Sequence, residues 1–421
     1  MASICAFAQE PVETLAPAYS GQVVSPTNLT SLSGEFFNHD FFNVYAFING
    51  LHDSNVQQVG GATSPSWGYS LGGGIDAYHN FQTGELSLTY RGDYRDYGSN
   101  AYESGSDQNL AFLYSQRLGP RWTLATNINA GQTFYGSQYY SYGNAGPITP
   151  IANPFSSETR FLQGGISVTY EKTARLSYSF RGNGFLTRYS FQPSFGSSGG
   201  IGAASVSYRL NRRSTVSGTY SHTTFIYQHN VGTSQIDSVF LTLTHTFSDR
   251  TSVSISGGAS HTHIQGDFSS QLGNESIPGF VAGPYNETSW VPSFEATVAH
   301  NWRQVEFSAS AGQTVAPGNG VYLTSRSDFV SGTASRSWRK LNLSAGGGYF
   351  HITSVSNAVS GSYNTASLAA SVGYMLMRYL GVHFSYNYFL YGNFGNFNNV
   401  NDNRITFGFS FSSKSIPMTL F

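Results

Sequence analysis

The sequence predicts an all-β fold, a transmembrane antiparallel up-and-down barrel of about 18 strands with short periplasmic turns and long extracellular loops. Three observations predict it: charged residues are scarce, period-two alternation recurs along the chain, and a short-turn, long-loop rhythm repeats from end to end. Only 10% of the 421 residues are Asp, Glu, Lys or Arg, against roughly 25% in an ordinary globular protein. Such a chain cannot clothe itself in a charged surface. Nor does it contain 18 consecutive apolar residues, so no segment reads as a transmembrane helix. A closed sheet reconciles the two, with polar residues facing a lumen and apolar ones facing lipid.

The chain opens on Ala2-Ser3-Ile4-Cys5-Ala6-Phe7-Ala8-Gln9, which reads as the end of a secretory signal with an Ala-x-Ala site; residues 1–8 are taken as a signal remnant. Lipidation of Cys5 is disfavoured, because Ile4 is too large for the small residue a lipoprotein signal requires there. Residues 9–40, rich in Pro, Ser and Thr, read as an unstructured periplasmic lead. The barrel is expected over 41–412 and a short tail over 413–421.

Within 41–412 one unit recurs: an alternating segment ending in an aromatic, a two-to-four-residue polar turn often containing Arg, then another alternating segment. Tight turns fall near Asn80 to Gly84, Leu118 to Arg121, Glu171 to Arg175, Asn211 to Arg213, Ser248 to Arg250, Trp302 to Gln304, Trp338 to Lys340 and Met377 to Tyr379. Longer Gly, Ser, Asn and Tyr-rich segments separate them, the longest at about 133–158 and 264–287, and either could fold inward to narrow a pore. Alternation is plainest near the end. Leu380, Val382, Phe384, Tyr386 and Tyr388 share one face against Gly381, His383, Ser385 and Asn387, and Ile405, Phe407, Phe409 and Phe411 repeat the pattern. A soluble sandwich would carry Lys and Glu on its outward face, which these strands lack. Aromatics gather beside the short turns (Tyr78, Tyr114, Trp122, Tyr170, Tyr178, Tyr208, Phe247, Trp302, Trp338, Tyr374 and Tyr379), as in an interfacial girdle. The strand count reaches 18, which puts both termini on the periplasmic side; 16 is the second choice, because the first hairpin alternates poorly.

The turn-strand units Tyr208-Arg209-Leu210-Asn211-Arg212-Arg213-Ser214-Thr215-Val216 and Phe247-Ser248-Asp249-Arg250-Thr251-Ser252-Val253 resemble those of outer-membrane β-barrel porins of Gram-negative-type bacteria. The resemblance implies an outer-membrane location, passive transport of small polar solutes, and insertion by the barrel-assembly machinery; some members of that group are linked to exopolysaccharide export. The aromatic-ended last strand and Phe421 match the assembly signal, although Pro417 interrupts the run between them.

Candidate site residues follow from the strand faces. With Leu86, Leu88 and Tyr90 toward lipid, Arg91, Asp93 and Arg95 fall in the lumen, and Arg181, Glu295 and Glu306 fall on the wet faces of their strands. Two readings stay open for the first three: they set the pore's field, or they pair and brace the wall. Tyr135, Tyr139, Tyr140 and Tyr142 form an aromatic loop that could contact sugars or simply pack. Gly68-Tyr69-Ser70-Leu71-Gly72 satisfies a nucleophile-elbow pattern but lies inside a strand, where it reads as chance. His222, His261 and His263 lack neighbours at ligand spacing and read as solvated rim residues, so no metal, cofactor or catalytic site is expected. A formal net charge of −1 without a basic stripe excludes nucleic acid as a partner. Expected partners are the lipid bilayer, lipopolysaccharide, the assembly machinery and small polar solutes, with homo-oligomerisation left open. The expected function is a porin-like channel for passive diffusion of small polar solutes, saccharides among the candidates; the competing reading is a barrel that exports or anchors a surface polymer such as an exopolysaccharide.

Overall fold

The computed structural model describes residues 41–56, 64–98, 104–133, 158–189, 196–228, 231–267, 284–302, 305–317, 323–356, 361–392 and 400–413. They form 18 strands in chain order. These are β1 (Phe41–Val56), β2 (Ser64–Phe81), β3 (Gly84–Asp96), β4 (Gly105–Arg117), β5 (Trp122–Thr133), β6 (Thr159–Glu171), β7 (Leu176–Tyr189), β8 (Ser197–Arg209) and β9 (Ser214–Tyr227), followed by β10 (Gly232–Ser248), β11 (Thr251–Asp267), β12 (Pro284–Trp302), β13 (Val305–Pro317), β14 (Thr324–Ser337), β15 (Leu341–Ser354), β16 (Ser362–Met377), β17 (Leu380–Gly392) and β18 (Val400–Ser412). Each strand pairs antiparallel with the next, and β1 pairs with both β2 and β18. The sheet is therefore a closed barrel without edges, the architecture of a transmembrane barrel of outer-membrane type. The first hairpin belongs to the wall, which settles the count at 18 rather than 16.

Local chemistry explains the tight ends. At the β6–β7 turn the Thr173 hydroxyl accepts from the Arg175 and Leu176 amides at 3.2 and 3.0 Å. At the β8–β9 turn the Asn211 side chain accepts from the Arg213 amide at 2.8 Å. The β10–β11 turn repeats the device with Ser248 and Arg250. Side-chain oxygens that mimic a backbone acceptor two residues ahead favour such turns. Gly119, at φ 140°, fills the one position in the β4–β5 turn that a side chain would strain.

Register assigns every strand two faces. On the outer face Leu241 is 62% exposed and Val239 60%, and each pairs across strands with other outward residues such as Gly218 and Tyr220. Ile48, Leu71, Ile166, Phe180, Val330, Leu368 and Phe407 belong to the same face. Among the described residues, the Asp, Glu, Lys and Arg side chains on this face (Asp96, Arg160, Arg188, Asp237, Arg326, Asp328 and Arg336) lie toward strand ends, leaving an uncharged belt between. The short-turn end carries an outward aromatic girdle in which Trp122 meets Tyr170 at 4.6 Å and Tyr170 meets Tyr178 at 6.5 Å. Tyr78 is a correction to the girdle expected from sequence. It lies on the opposite face of β2 from Trp67, Tyr69 and Leu71, where its hydroxyl donates to Glu85 at 3.1 Å.

An Arg placed in the middle of this belt meets lipid without relief. Leu241→Arg should destabilise the barrel by about 2 to 4 kcal/mol in equilibrium folding into phospholipid vesicles, whereas Ser207→Arg, on the lumenal face of β8, should cost little.

Candidate functional site

The lumen is built from the inward half of each strand, and its chemistry changes with height. From its short-turn foot to its middle run cross-strand pairs of hydroxyls. Ser238 bonds Ser260 at 2.9 Å and Ser260 approaches Ser293 at 3.5 Å, joining β10, β11 and β12. Ser308 bonds Thr333 at 2.6 Å and Ser310 bonds Ser331 at 2.8 Å, joining β13 to β14. Ser344 and Ser371 join β15 to β16 at 2.5 Å, and Thr169 and Ser179 join β6 to β7. A hydroxyl can donate or accept, so the ladder is polar, uncharged and reversible in direction.

Nearer the long-loop end the lumenal wall divides into two arcs. One, on β18, β1, β3 and β4, is charged. The Arg404 guanidinium engages the fully buried Asp53 carboxylate through two nitrogens at 2.8 and 2.9 Å, with Tyr97 donating to the same oxygen at 3.2 Å. Arg404 also lies 3.6 Å from Asp402. Arg95 contacts Asp107 at 3.1 Å and Asp93 at 3.7 Å, and Arg91 lies 3.9 Å from Asp93 with its guanidinium 4.7 Å from the Phe47 ring centre. Two guanidinium nitrogens on one carboxylate oxygen make a charge-assisted contact, and this arc ties the closing β1–β18 seam to β3 and β4.

The other arc, from β7 to β16, is apolar. Phe185, Phe225, Tyr227, Val231, Ile236, Ile264, Leu323, Ile352 and Tyr363 form one buried cluster, with Phe225 and Ile352 fully buried. Its contacts join strands that are not neighbours in the sheet. The Tyr227 hydroxyl at the end of β9 donates to the Leu323 carbonyl just before β14, and Ser234 of β10 bonds Thr324 of β14. Tyr285 of β12 donates to the Val231 carbonyl at 3.0 Å. The mouth is thus drawn together on this side by side chains that cross the inside of the barrel.

The residues expected from sequence separate by height. Arg91, Asp93 and Arg95 stand together on β3 and are paired as above. Arg181 lies midway up β7, opposite Ser167 and Ala203. Glu295 on β12 accepts from Thr297 at 3.3 Å, and Glu306 sits exposed at the short-turn foot of β13. The six do not form one ring. Tyr135, Tyr139, Tyr140 and Tyr142 lie outside the described residues. Ser70 sits mid-strand in β2, nearly fully buried, accepting from the Asn49 amide at 3.0 Å, so no nucleophile elbow exists there. His222, His261 and His263 all face outward near the long-loop rim. His222 bonds Asp237 at 2.8 Å and His261 packs on Trp290. Among the described residues no three His, Cys, Asp or Glu side chains gather as a metal site. Asp53, Asp107, Asp402 and Arg404 were not singled out from the sequence. Arg404 could have been, since it precedes Ile405 and so falls on the wet face of β18.

No family model and no curated protein sequence matches the chain. Solved structures resemble it in outline. OpdK of Pseudomonas aeruginosa, solved with vanillate, is 10% identical with a TM-score of 0.40, over 88% of this chain and 99% of its own. OccAB4 of Acinetobacter baumannii is 8% identical with a TM-score of 0.43, over 89% and 99%. OccK2 of Pseudomonas aeruginosa is 12% identical with a TM-score of 0.42, over 89% and 98%.

Removing one partner of a buried pair leaves a charge behind. Arg404→Ala should therefore cost about 3 to 5 kcal/mol, read as a lower melting temperature of the folded barrel, and a compensating Asp53→Ala in the same chain should recover most of it.

Proposed function

We propose that this protein is a bacterial outer-membrane channel for passive diffusion of small polar solutes, narrow at its outer mouth and lined through its waist by hydroxyls among which Arg181 and Glu295 stand apart. The observation that carries the reading is the hydroxyl ladder on the lumenal wall of a closed barrel: a wall of Ser and Thr offers donors and acceptors to a passing solute without binding it through charge. Neutral, hydroxyl-rich solutes of saccharide type suit such a wall. The ions in the charged arc largely compensate one another, so that arc braces the mouth and imposes weak selection by sign. No catalytic constellation is invoked.

The apolar arc favours a second reading. A mouth drawn in by the Phe225–Ile352 cluster would also suit a barrel that passes or anchors a surface polymer and opens only when a partner engages it. Planar-bilayer recording of the purified, folded protein separates the two. Small, stable openings with weak ion selectivity, partially blocked by millimolar oligosaccharide, are expected of the channel, and Phe225→Ala/Ile352→Ala should raise the conductance several-fold. A folded barrel that stays silent in both forms would sink the diffusion reading and leave the partner-gated one.

A further inference from the structure

A second feature lies on the lipid-facing wall. Across β4, β5, β6 and β7 one outward row at the long-loop rim reads Gln108, Gln132, Arg160 and Arg188, consecutive cross-strand partners in register. Arg160 and Arg188 stand directly opposite each other. Like charges in that position destabilise a sheet, and Glu158, 2.7 Å from the Arg160 guanidinium, supplies one carboxylate against two cations. Among the described residues the spot therefore carries excess positive charge flanked by amide donors, in an exposed position at the end of both strands.

Below this row the wall is hollowed. A groove of about 470 Å³ opens on the outward face of β6–β9, with Ile166, Val168, Phe180 and Tyr220 as its sides and Gly182 and Gly202 as its floor. A Cβ added at either glycine would meet nothing within 4 Å, so the hollow comes from missing side chains and not from a backbone kink. Six residues separate Ile166 from Arg160 along β6. At about 3.3 Å per residue that is roughly 20 Å along the strand, and at a tilt near 40° about 15 Å of depth, the half-thickness of a hydrocarbon core. Cations at headgroup level thus stand one leaflet's depth above the Ile166 side of a hollow whose other side, at His222, lies nearer the rim.

We propose that this wall is a docking site for a phosphorylated lipid of the outer leaflet, its phosphate held by Arg160 and Arg188 with Gln108 and Gln132 beside them, and one acyl chain lying in the β6–β9 groove. The proposal rests on the long-loop end facing outward, as in the channel reading. It is independent of what the lumen passes. A charge-assisted phosphate contact through two guanidiniums supplies specificity, and the filled groove adds apolar contact that flat wall lacks.

The test is native mass spectrometry of the full-length folded barrel in detergent with added bis-phosphorylated hexa-acyl lipid A as probe. Wild type should retain one lipid. Arg160→Gln/Arg188→Gln should weaken retention about tenfold or more, and Gly202→Leu, which fills the groove with both cations intact, should also weaken it. Inorganic phosphate should not displace the lipid. Both variants must keep the heat-modifiable mobility of the folded barrel; should the double variant lose it, Arg188→Gln alone takes its place. Retention unchanged in the charge variant, full displacement by inorganic phosphate, or an altered oligomeric mass in place of lipid loss would overturn the proposal. Unchanged single-channel conductance in the same variants keeps this outcome separate from that of the channel reading.

Discussion

In a bilayer core no water is present to satisfy a peptide group, so each backbone N–H and C=O must find its partner within the protein. The whole structure depends on that constraint, and on one pairing in particular. Eighteen strands would leave two edges in hydrocarbon were β1 not laid against β18, from Tyr45 opposite Ser412 to Asp53 opposite Arg404. The upper end of that seam coincides with the Asp53–Arg404 contact, so a buried charged pair sits where closure joins β1 to β18.

Closure then dictates the rest. Once the sheet is a barrel, period two becomes inside and outside, and the same alternation that puts Leu241 and Phe407 toward lipid puts Thr242 and Thr406 toward the lumen. What the lumen becomes depends on which inward residues are large. Through the waist many are Ser and Thr, which pair with one another across strands, with Arg181 and Glu295 among them. Toward the long-loop end they grow into Phe225, Ile264, Ile352 and Tyr363 on one arc and into arginine–aspartate pairs on the other. A solute entering there passes between a greasy wall and a charge-compensated one before reaching the hydroxyls.

Much of this was legible in the sequence because outward residues obey a simple rule. Lipid tolerates only apolar side chains at mid-depth, so rows such as Leu380 to Tyr388 announce their strand, and turn residues such as Asn211 and Ser248 announce its end. The first hairpin was less legible because β2 carries Gly72, Gly73 and Gly74 on successive positions, which blurs both faces. The inward face obeys no comparable rule. Phe225 and Ile352 belong to distant strands, and nothing local to either signals that both point inward into one cluster. The pairing of Asp53 with Arg404 spans 351 positions and depends on closure itself. Arg91, Asp93 and Arg95 could be placed on the lumenal face from alternation alone, but their acidic neighbour Asp107 comes from the next strand and became visible only with its register.

Everything else in the barrel depends on the closed seam, which cysteine cross-linking in the folded barrel, with Cys5 replaced by Ser, tests directly. Ala46 and Phe411 are direct partners across β1 and β18, so Ala46→Cys/Phe411→Cys should form a disulfide on mild oxidation, while Ala46→Cys/Phe407→Cys, displaced four residues along β18, should not. That pattern is what a closed 18-stranded barrel in this register requires. Cross-linking in the displaced pair alone, or in neither, would contradict it.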